Sequence, residues 1–502
     1  MRFFYRVILG ALMLALMGMG LTPQVAHAQI KGCPVPLIGN LEPPPPPPDG
    51  VLFQNVRIFN GLTDGLSGKS DVLVIENKIN KISLTSIDLT KLPEIELENG
   101  NKLDPKNVET INGNGLVMMP GLIDNHVHIY MSANPQEGKN GLLNLDTNPQ
   151  ILESKAQAEA KNILLRGFTA VRDMGGPVFP LKQLIDLECT PGPRIYPSGA
   201  TISQTSGHGD FGDYYARPRR FGGKLSRAED LRATIIADGR DEVLTATREN
   251  LRLGASQIKL MAGGGAASLY DPLDVAEYTL DEIKAAVEAA DDWGTYVTVH
   301  AYTPKAVRRA ITAGVKCIEH GQLLDEETMQ LLAKKGIWLS LQTLEPAPGD
   351  TEPLVIEKKR QVIDGTDKAF TWAKKYNVNL AWGTDFIFNP GSTYKQNSFI
   401  PKLKTWLSNF EALKLVTHDN AQLLALSGPR NPYPGELGVI KEGAYADLLL
   451  VKGNPLDDLS VLGNDEDNKN NFQVIMKDGN IYKNCLSQPM TNGCVVPLPL
   501  IP

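Results

Sequence analysis

Short apolar runs that end in a polar or charged residue recur along this 502-residue chain, and segments with helical periodicity separate them. Uninterrupted runs of β-branched and aliphatic residues are typical of parallel strands that are buried on both faces. Five such runs carry a histidine, lysine or aspartate at or near their ends, side chains that can bind metal or transfer protons: LIDNHVH, SQIKL, YVTVH, KCIEH and NLAWGTD. Strands and helices that alternate in this way predict an α/β fold of the barrel type, whose strand ends meet at one mouth.

The same pattern supplies further strands and the helices between them. GFTAVRDM predicts a second strand, RIYPSGATI a third and IWLSLQT a seventh. Amphipathic helices are expected at TLDEIKAAVEAADDWG and TPKAVRRAITAG. Thr279 and Glu282 have the spacing of a capping box, so the first of these helices should begin there.

Both flanks of the chain carry a different pattern, in which apolar residues alternate with polar ones. VLFQNVRIF and DVLVIENKINKIS lie between Val51 and about Met118, and ADLLLVKG and NFQVIMKDGNIYK lie near the carboxyl end. Alternation with this period predicts strands that pair as hairpins. Asp478-Gly479 is a signal for the tight turn of one hairpin.

The amino terminus has the features of a cleaved signal peptide. Arg2 and Arg6 flank a short n-region, residues 8–21 are mostly apolar, and Ala26-His27-Ala28 has small residues on both sides of one position. Because a spanning helix needs ~20 apolar residues, a stable membrane anchor is not expected. We therefore expect cleavage after Ala28 and export of the mature chain. Residues 29–50 are rich in proline and predict an extended spacer.

Composition and charge narrow the class of protein. The chain is 42% hydrophobic and 21% charged, which is enough material for one large core and a smaller second domain. Its formal net charge is −7, and it contains neither a dense Lys/Arg cluster nor a phosphate-cradling G-x-x-x-x-G-K motif. A nucleic-acid partner is therefore not expected.

The five cysteines do not have the spacing of a zinc site. Cys317 lies in a buried-looking strand and is predicted to be an inert core thiol, whereas Cys189 precedes a Pro-Gly-Pro loop. In an oxidising compartment, the terminal cysteines Cys33, Cys485 and Cys494 could supply one disulfide. The hypothesis is Cys485 with Cys494, or Cys33 with either of them, which leaves an odd thiol.

Six side chains at the predicted strand ends can form one constellation: His126, His128, Lys259, His300, His320 and Asp385. Residues i and i+2 of a strand point the same way, so His126 and His128 can reach one cation. Carbon dioxide can convert a deprotonated Lys259 into a carbamate, an anionic group whose two oxygens can bridge two metals. His300 and His320 would hold the second ion.

Asp385 completes the predicted centre. Its carboxylate can bind the first metal and can also take a proton from a bridging water, because the metals lower the pKa of that water. One residue is then both ligand and general base. The constellation predicts a two-metal hydrolytic site, although a single His-x-His would more often be structural.

The motifs that carry these residues also carry a family resemblance. MPGLIDNHVH, IKLMAGGG, VTVHAYTPKAVRRAITAGVKCIEHG, GTD and ELGVIKEGAYADLLLVKGNPLDDL resemble the amidohydrolase superfamily, in its imidazolonepropionase-like and prolidase-like branch, over roughly residues 51 to 484. The resemblance implies a distorted (β/α)8 barrel with two divalent metal ions, expected to be Zn²⁺, bridged by carboxylated Lys259. It also implies a small β-sandwich built from both flanks. Members of this branch cleave Xaa-Pro or Xaa-Lys/Arg bonds, or remove an amino acid from an acyl or aryl group.

The predicted domain organisation follows from these patterns together. It comprises a signal peptide over 1–28, a Pro-rich segment over 29–50, the first part of the sandwich over 51–118, the barrel over 119–429, the second part of the sandwich over 430–484 and a tail over 485–502.

Residues for substrate recognition are less sharply indicated. His208 lies in SQTSGHGDFGD, which resembles a Gly-His-Gly-Asp segment of the branch; it could polarise the scissile carbonyl or bind the oxyanion, or only pack a loop. Tyr302 follows His300 by two residues and could contact a substrate carboxylate. Arg217, with its neighbours Arg219 and Arg220, could do the same, although basic runs are often merely solvated. His418 is expected to be structural.

The predicted function is that of an exported binuclear metal-dependent amidohydrolase. Its substrate would be a small carboxylate-bearing molecule such as a dipeptide or an N-acyl amino acid. Ester or lactone hydrolysis, cyclic-amide hydrolysis and deamination are alternatives for the same site, and a non-catalytic exported binding protein is a further one. The sequence leaves open the acyl side of the substrate, the metal used in the cell and assembly into a homo-oligomer.

Overall fold

The computed structural model describes residues 48–133, 148–268, 271–345, 352–387, 390–463 and 471–486. The predicted signal peptide, nearly all of the Pro-rich segment, most of the tail, Cys33 and Cys494 lie outside these ranges. None of the helices in these ranges is both long and apolar enough to cross a membrane.

The strands fall into three groups along the chain. The first flank contains β1 (Gly50–Ile58), β2 (Lys69–Ile75), β3 (Lys78–Ser83), β4 (Val108–Asn112) and β5 (Val117–Pro120). The central part contains β6 (Leu122–Val127), β7 (Phe168–Asp173), β8 (Arg194–Pro197), β9 (Thr201–Ser203), β10 (Thr234–Ile236), β11 (Ile258–Met261), β12 (Val297–Ala301), β13 (Cys317–His320), β14 (Trp338–Leu341) and β15 (Asn379–Trp382). The second flank contains β16 (Leu448–Val451), β17 (Phe472–Lys477) and β18 (Asn480–Asn484).

The described α-helices belong to the central part. They are α1 (Ile129–Ser132), α2 (Pro149–Leu165), α3 (Phe179–Asp186), α4 (Arg227–Asp230), α5 (Arg240–Leu253), α6 (Leu280–Asp292), α7 (Pro304–Ala313), α8 (Glu326–Lys335), α9 (Pro353–Lys375), α10 (Asn409–Lys414) and α11 (Asn420–Ala425). Helix α6 begins as predicted, because the Glu282 carboxylate accepts from both the backbone N–H and the hydroxyl of Thr279 at 2.8 Å.

Eight parallel strands form the wall around the candidate site. β6, β7 and β8 make one sheet, and β11 to β15 continue a second sheet that also carries β9 and β10 at its edge. Hydrogen bonds join the sheets at both seams: Ser256 N–H donates to the Pro197 carbonyl at 2.8 Å, and Asp385 N–H donates to the His126 carbonyl at 2.8 Å. The expected α/β fold with parallel sheets of a distorted barrel is confirmed.

One strand prediction needs correction. The run RIYPSGATI is not a single third strand, because the chain leaves β8 after Pro197 and resumes as β9 at Thr201. Gly199 between them has φ +73°, a left-handed conformation that breaks the extended run.

The flanking strands form one eight-stranded sheet in the order β18-β17-β16-β5-β1-β2-β3, with β4 paired to β1. Its strands come from both flanks, as expected, and they enclose a shared apolar core that includes Phe53, Val74, Met118, Leu450 and Met476. The predicted turn at Asp478-Gly479 joins β17 to β18, with φ +55° and +75° at its two residues. The domain boundaries themselves stay a prediction.

A buried arginine links the barrel to this sheet. Arg194 on β8 donates from Nε to Asp447 Oδ2 at 2.9 Å and from Nη2 to Asp478 Oδ1 at 2.6 Å. The guanidinium also lies over the ring of Tyr445, 4.1 Å from its centroid. Because these contacts cross from the barrel to the second flank, they fix the position of one against the other.

The cysteines differ from expectation in one respect. Cys317 is free and buried, as predicted. Cys485 is disulfide-bonded, and so is Cys189, which the hypothesis left out; the pairing of the terminal cysteines stays a prediction. Glu188, next to Cys189, accepts a hydrogen bond from Asn480 on β18 at 2.9 Å, so this loop lies beside the last strand, a contact that the sequence alone does not reveal.

Candidate metal centre and active site

The structure brings the predicted ligand residues together at the carboxyl ends of the barrel strands. His126 and His128 are at the end of β6, Lys259 is on β11, His300 on β12, His320 on β13, and Asp385 follows β15. All of them are buried except Asp385, whose side chain is 22% exposed.

Imidazole nitrogens and carboxylate oxygens converge at this point. Asp385 Oδ1 is 3.3 Å from His126 Nε2 and 3.4 Å from His128 Nε2, and Asp385 Oδ2 is 3.9 Å from His320 Nδ1. The ligand atoms of His126, His320 and Asp385 lie within 4.8 Å of one another, so they could hold a metal ion. The His300 ring centroid is 4.5 Å from that of His320. Nitrogen and carboxylate ligands of this kind suit zinc.

Two of these residues have backbone conformations that side chains rarely adopt. His320 has φ +77° and Asp385 has φ +54°. Neighbouring residues of a regular strand point to opposite faces, yet Glu319 and His320 both contact groups of the site. The left-handed conformation at His320 breaks the alternation, and such local strain is common at functional sites.

Burial sets the protonation of the histidines. It lowers the pKa of His126 to about 4 and that of His320 to about 3. Burial alone would raise the pKa of Asp385, but His126 and the other nearby imidazoles outweigh it and hold the pKa well below the usual range. His126 and His320 are therefore neutral imidazoles and Asp385 is a carboxylate, which are the forms that bind metal.

Lys259 is fully buried, and its Nζ has no hydrogen-bond partner in the part of the chain that the structure describes. Burial lowers the pKa of Lys259 to about 8. An ammonium group without such partners is costly in a buried place, so burial raises the share of the neutral amine above that of an exposed lysine. The neutral amine is also the form that reacts with carbon dioxide, so the surroundings fit the expected carboxylation.

Asp124 holds the two ends of the barrel wall in register. Its Oδ1 accepts from the backbone N–H groups of His126 and Thr384, both at 3.0 Å. Its Oδ2 accepts from the Thr384 hydroxyl at 2.6 Å and from Gln396 Nε2 at 3.0 Å. Asp124 was not among the predicted site residues, although it lies in the LIDNHVH motif two residues before His126.

His208 reaches the same centre from the loop after β9. Its ring stacks on that of His300 with centroids 4.1 Å apart. Nδ1 lies 3.0 Å from Asp271 Oδ2, and the backbone N–H donates to the carboxylate of Glu277 at 2.9 and 3.1 Å. Asp271 and Glu277 were missed because loop residues so far along the chain from His208 leave no local signal.

The other predicted contact residues lie in contrasting places. Tyr302 is buried and stacks on His320 with centroids 5.1 Å apart, so it belongs to the site. Arg217 is exposed in the loop after His208, and its contact with substrate stays a prediction.

Three more basic residues engage groups of the protein itself. Arg219 donates to the Ile236 carbonyl, and Arg220 Nε bonds Glu242 at 3.0 Å. His418 bonds Asp419 at 2.8 Å in a short π-helical turn. The substrate role considered for the two arginines finds no support in these contacts, whereas the structural role expected for His418 agrees with its own.

Comparison with known proteins identifies the class. Residues 117–486 match the model of the amidohydrolase family, and the chain belongs to that family. Ochratoxinase from Aspergillus niger is 32% identical over 364 residues, which cover 69% of this chain and 72% of ochratoxinase. The expected family is confirmed.

Solved structures agree. A prolidase complexed with N-methylphosphonate-L-proline superposes with a TM-score of 0.73 and 30% identity, over 86% of this chain and 99% of the prolidase. A Xaa-Pro dipeptidase with methionine bound in its active site gives a TM-score of 0.70 and 26% identity, over 86% of this chain and 99% of that one. The chain is thus a hydrolase that acts on amide or peptide bonds, as predicted.

Proposed function

We propose that this chain is an exported, zinc-dependent hydrolase that releases an amino acid from a dipeptide or an N-acyl amino acid. The observation that carries the proposal is the convergence of His126, His128, His320 and Asp385 at the barrel mouth. The similar proteins support the substrate class, since a prolidase is complexed with a proline derivative and a dipeptidase with methionine.

The residues present fit two divalent ions. His126, His128 and Asp385 would hold one ion, His300 and His320 the other, and carboxylated Lys259 would lie between them. The Nζ of Lys259, which has no hydrogen-bond partner among the residues that the structure describes, supports this arrangement, because a carbamate would give the buried side chain oxygens that a cation can neutralise. When bound, the ions supply Lewis acidity and lower the pKa of water.

Asp385 is the group that moves the proton. Its low pKa keeps the carboxylate ionised at neutral pH, and its partial exposure lets substrate approach. It takes a proton from the attacking water and returns that proton to the leaving amine as the carbon–nitrogen bond breaks.

His208 and Tyr302 orient the substrate. With Nδ1 held by Asp271, the Nε2 atom of His208 is the ring nitrogen left to approach the carbonyl oxygen. Tyr302 lies against His320 and can donate its hydroxyl to the carboxylate of the released amino acid. The Tyr302 contact would favour substrates with a free carboxylate next to the scissile bond, and the His208 contact would orient their carbonyl group.

Export is supported by two observations. The leader has the arrangement of a signal peptide, and both Cys189 and Cys485 are disulfide-bonded. Disulfides persist mainly in oxidising compartments. The intact mass of the secreted protein should correspond to a chain that begins at Gln29, and a start elsewhere would contradict cleavage after Ala28.

The deciding experiment incubates the mature protein, supplied with zinc and bicarbonate, with a panel of dipeptides and N-acyl amino acids, and follows products by mass spectrometry. Asp385→Asn should lower kcat about 10³-fold because the proton carrier is lost. Asp292→Asn, at the exposed end of α6, is the matched control and should cleave like the wild type.

Each outcome is informative. Full activity of Asp385→Asn would mean that another group carries the proton. If the wild type holds two metals but cleaves no member of the panel, the proposed substrate class is wrong, and esters, lactones and cyclic amidines become the next substrates to assay.

A further inference from the structure

A buried carboxylate that the proposed function does not use lies directly behind one of the ligands. Glu319 precedes His320 on β13 and is fully buried. Its Oε2 is 2.9 Å from His126 Nδ1, on the opposite side of the ring from Asp385. Burial of an ionised carboxylate is costly unless hydrogen bonds and opposite charges compensate it, so the partners of Glu319 matter.

The three donors to the Glu319 carboxylate come from β7, from β12 and from its own strand β13. Its Oε1 accepts from Arg172 Nη2 at 2.6 Å, from the Thr298 hydroxyl at 2.5 Å and from the Cys317 thiol at 3.3 Å. Arg172 is itself fully buried, and its Nε donates to the Asn125 carbonyl at 2.8 Å. With Oε1 occupied by three donors and a guanidinium alongside, Oε2 is left as an acceptor for His126.

This arrangement decides which nitrogen of His126 carries the proton. A neutral imidazole has one N–H and one lone pair. If Nδ1 donates to Glu319, the lone pair on Nε2 points at Asp385 Oδ1, 3.3 Å away. Two acceptors that face each other at this distance repel unless a cation lies between them.

We propose that Glu319 is a positioning residue that fixes the ring and the tautomer of His126 for metal binding, and that Arg172, Thr298 and Cys317 hold Glu319 in place. The inference rests on the metal centre proposed above. These four buried residues would then contribute to metal affinity and not only to the stability of the fold. Loss of a carboxylate that bonds a ligating histidine typically lowers metal affinity about 10–100-fold, and we expect a loss of that size for Glu319.

The test uses Glu319→Gln, which keeps the shape of the side chain. Its carbonyl oxygen must face the donors of Arg172 and Thr298, so its amide N–H faces His126 and imposes the opposite tautomer. We expect zinc affinity, measured by competition with a chromophoric chelator, to fall about 10–100-fold. We expect the Tm of the metal-free protein to change no more than in the control.

Glu159→Gln is the matched control, because Glu159 forms a buried pair with Arg166 at 2.5 Å but touches none of the ligand histidines. It should bind zinc like the wild type even if its Tm falls. Wild-type zinc affinity in Glu319→Gln would overturn the proposal, and so would an equal loss of affinity in both variants.

A second measurement reads the tautomer of His126 in the wild-type protein, and a variant serves only to assign the signal. In metal-free wild type labelled with 15N-histidine, the spectrum should show His126 protonated at Nδ1, with the signal assigned by its loss in His126→Gln. Protonation at Nε2 would overturn the role of Glu319. Failure of the wild type to bind zinc would instead contradict the metal centre itself, and the tautomer of His126 would still decide the role of Glu319.

Discussion

The ring of His208 occupies space that only glycine leaves at position 265. A Cβ atom on Gly265 would lie 1.8 Å from both Cε1 and Nδ1 of that ring. The backbone N–H of Gly265 also donates to Asp271 Oδ2 at 2.6 Å, the oxygen that holds His208. The absence of a side chain at Gly265 is therefore required for the observed position of the His208 ring.

Gly265→Ala should displace His208 without removing any functional group. Because a misplacement of about 1 Å can cost about 10²-fold in rate, we expect kcat/KM to fall by about that factor while zinc content stays unchanged. Gly68→Ala is the control, since a Cβ there would meet its nearest neighbour at 3.7 Å. Equal activity in the two variants would show that the position of His208 is unimportant.

Residue patterns predicted the side chains that converge at the candidate metal centre, but not the buried residues that hold them in place. His126, His300 and Asp385 were predicted because each ends an apolar run. Glu319 and Arg172 stand inside such runs, where a polar residue usually indicates only a strand face. Their pairing links β13 to β7, and a contact between such distant segments has no signature in one sequence.

At the scale of elements, strands were predicted better than their connections. The runs that became β7, β12 and β14 are apolar and continuous, whereas the break at Gly199 depends on a conformation that the run RIYPSGATI does not reveal. The hydrogen bond between Glu188 and Asn480 depends likewise on the approach of a distant loop to β18. Local pattern determines elements, and packing determines which elements meet.

The ion pairs of Arg194 with Asp447 and Asp478 join the barrel to the flanking sheet, and a substitution of Arg194 can test how much they stabilise the fold. Arg194→Met leaves Asp447 buried without its cation, and removal of one partner of a buried pair costs about 3–5 kcal/mol. The free energy of unfolding, measured in urea, should fall by that amount.

Arg308→Met removes an exposed arginine that pairs with Asp325 at 3.1 Å. That change should cost at most about 1 kcal/mol. Equal losses in the free energy of unfolding for Arg194→Met and Arg308→Met would mean that the ion pairs of Arg194 do not stabilise the contact between the barrel and the flanking sheet.

At the scale of the whole molecule, buried acids make stability depend on pH. Burial, with help from the charges of Asp271 and Asp210, raises the pKa of Glu277 from 4.5 to about 8. Between these values the folded protein holds a proton that the unfolded chain releases. The free energy of unfolding therefore falls as the pH rises from 4.5 to 8.

Glu277→Gln should remove this part of the pH dependence, which amounts to at most about 5 kcal/mol in the free energy of unfolding between pH 4.5 and 8. We expect the metal-free variant to lose less stability than the wild type between pH 4.5 and 8, as measured by urea unfolding at several pH values. Glu109→Gln, at an exposed position on β4, should keep the slope of the wild type. Parallel curves for Glu277→Gln and the wild type would exclude Glu277 as the source.

The hydrogen bond from Asp385 to the His126 carbonyl affects the chain during its own synthesis. The two residues belong to the first and the last strands of the barrel wall, so the ribosome releases one long before the other. Until the last strand has been made and has docked, His126 and His128 stand without the carboxylate that would move the proton. The order of synthesis therefore delays assembly of the candidate site until the last strand of the barrel wall has docked.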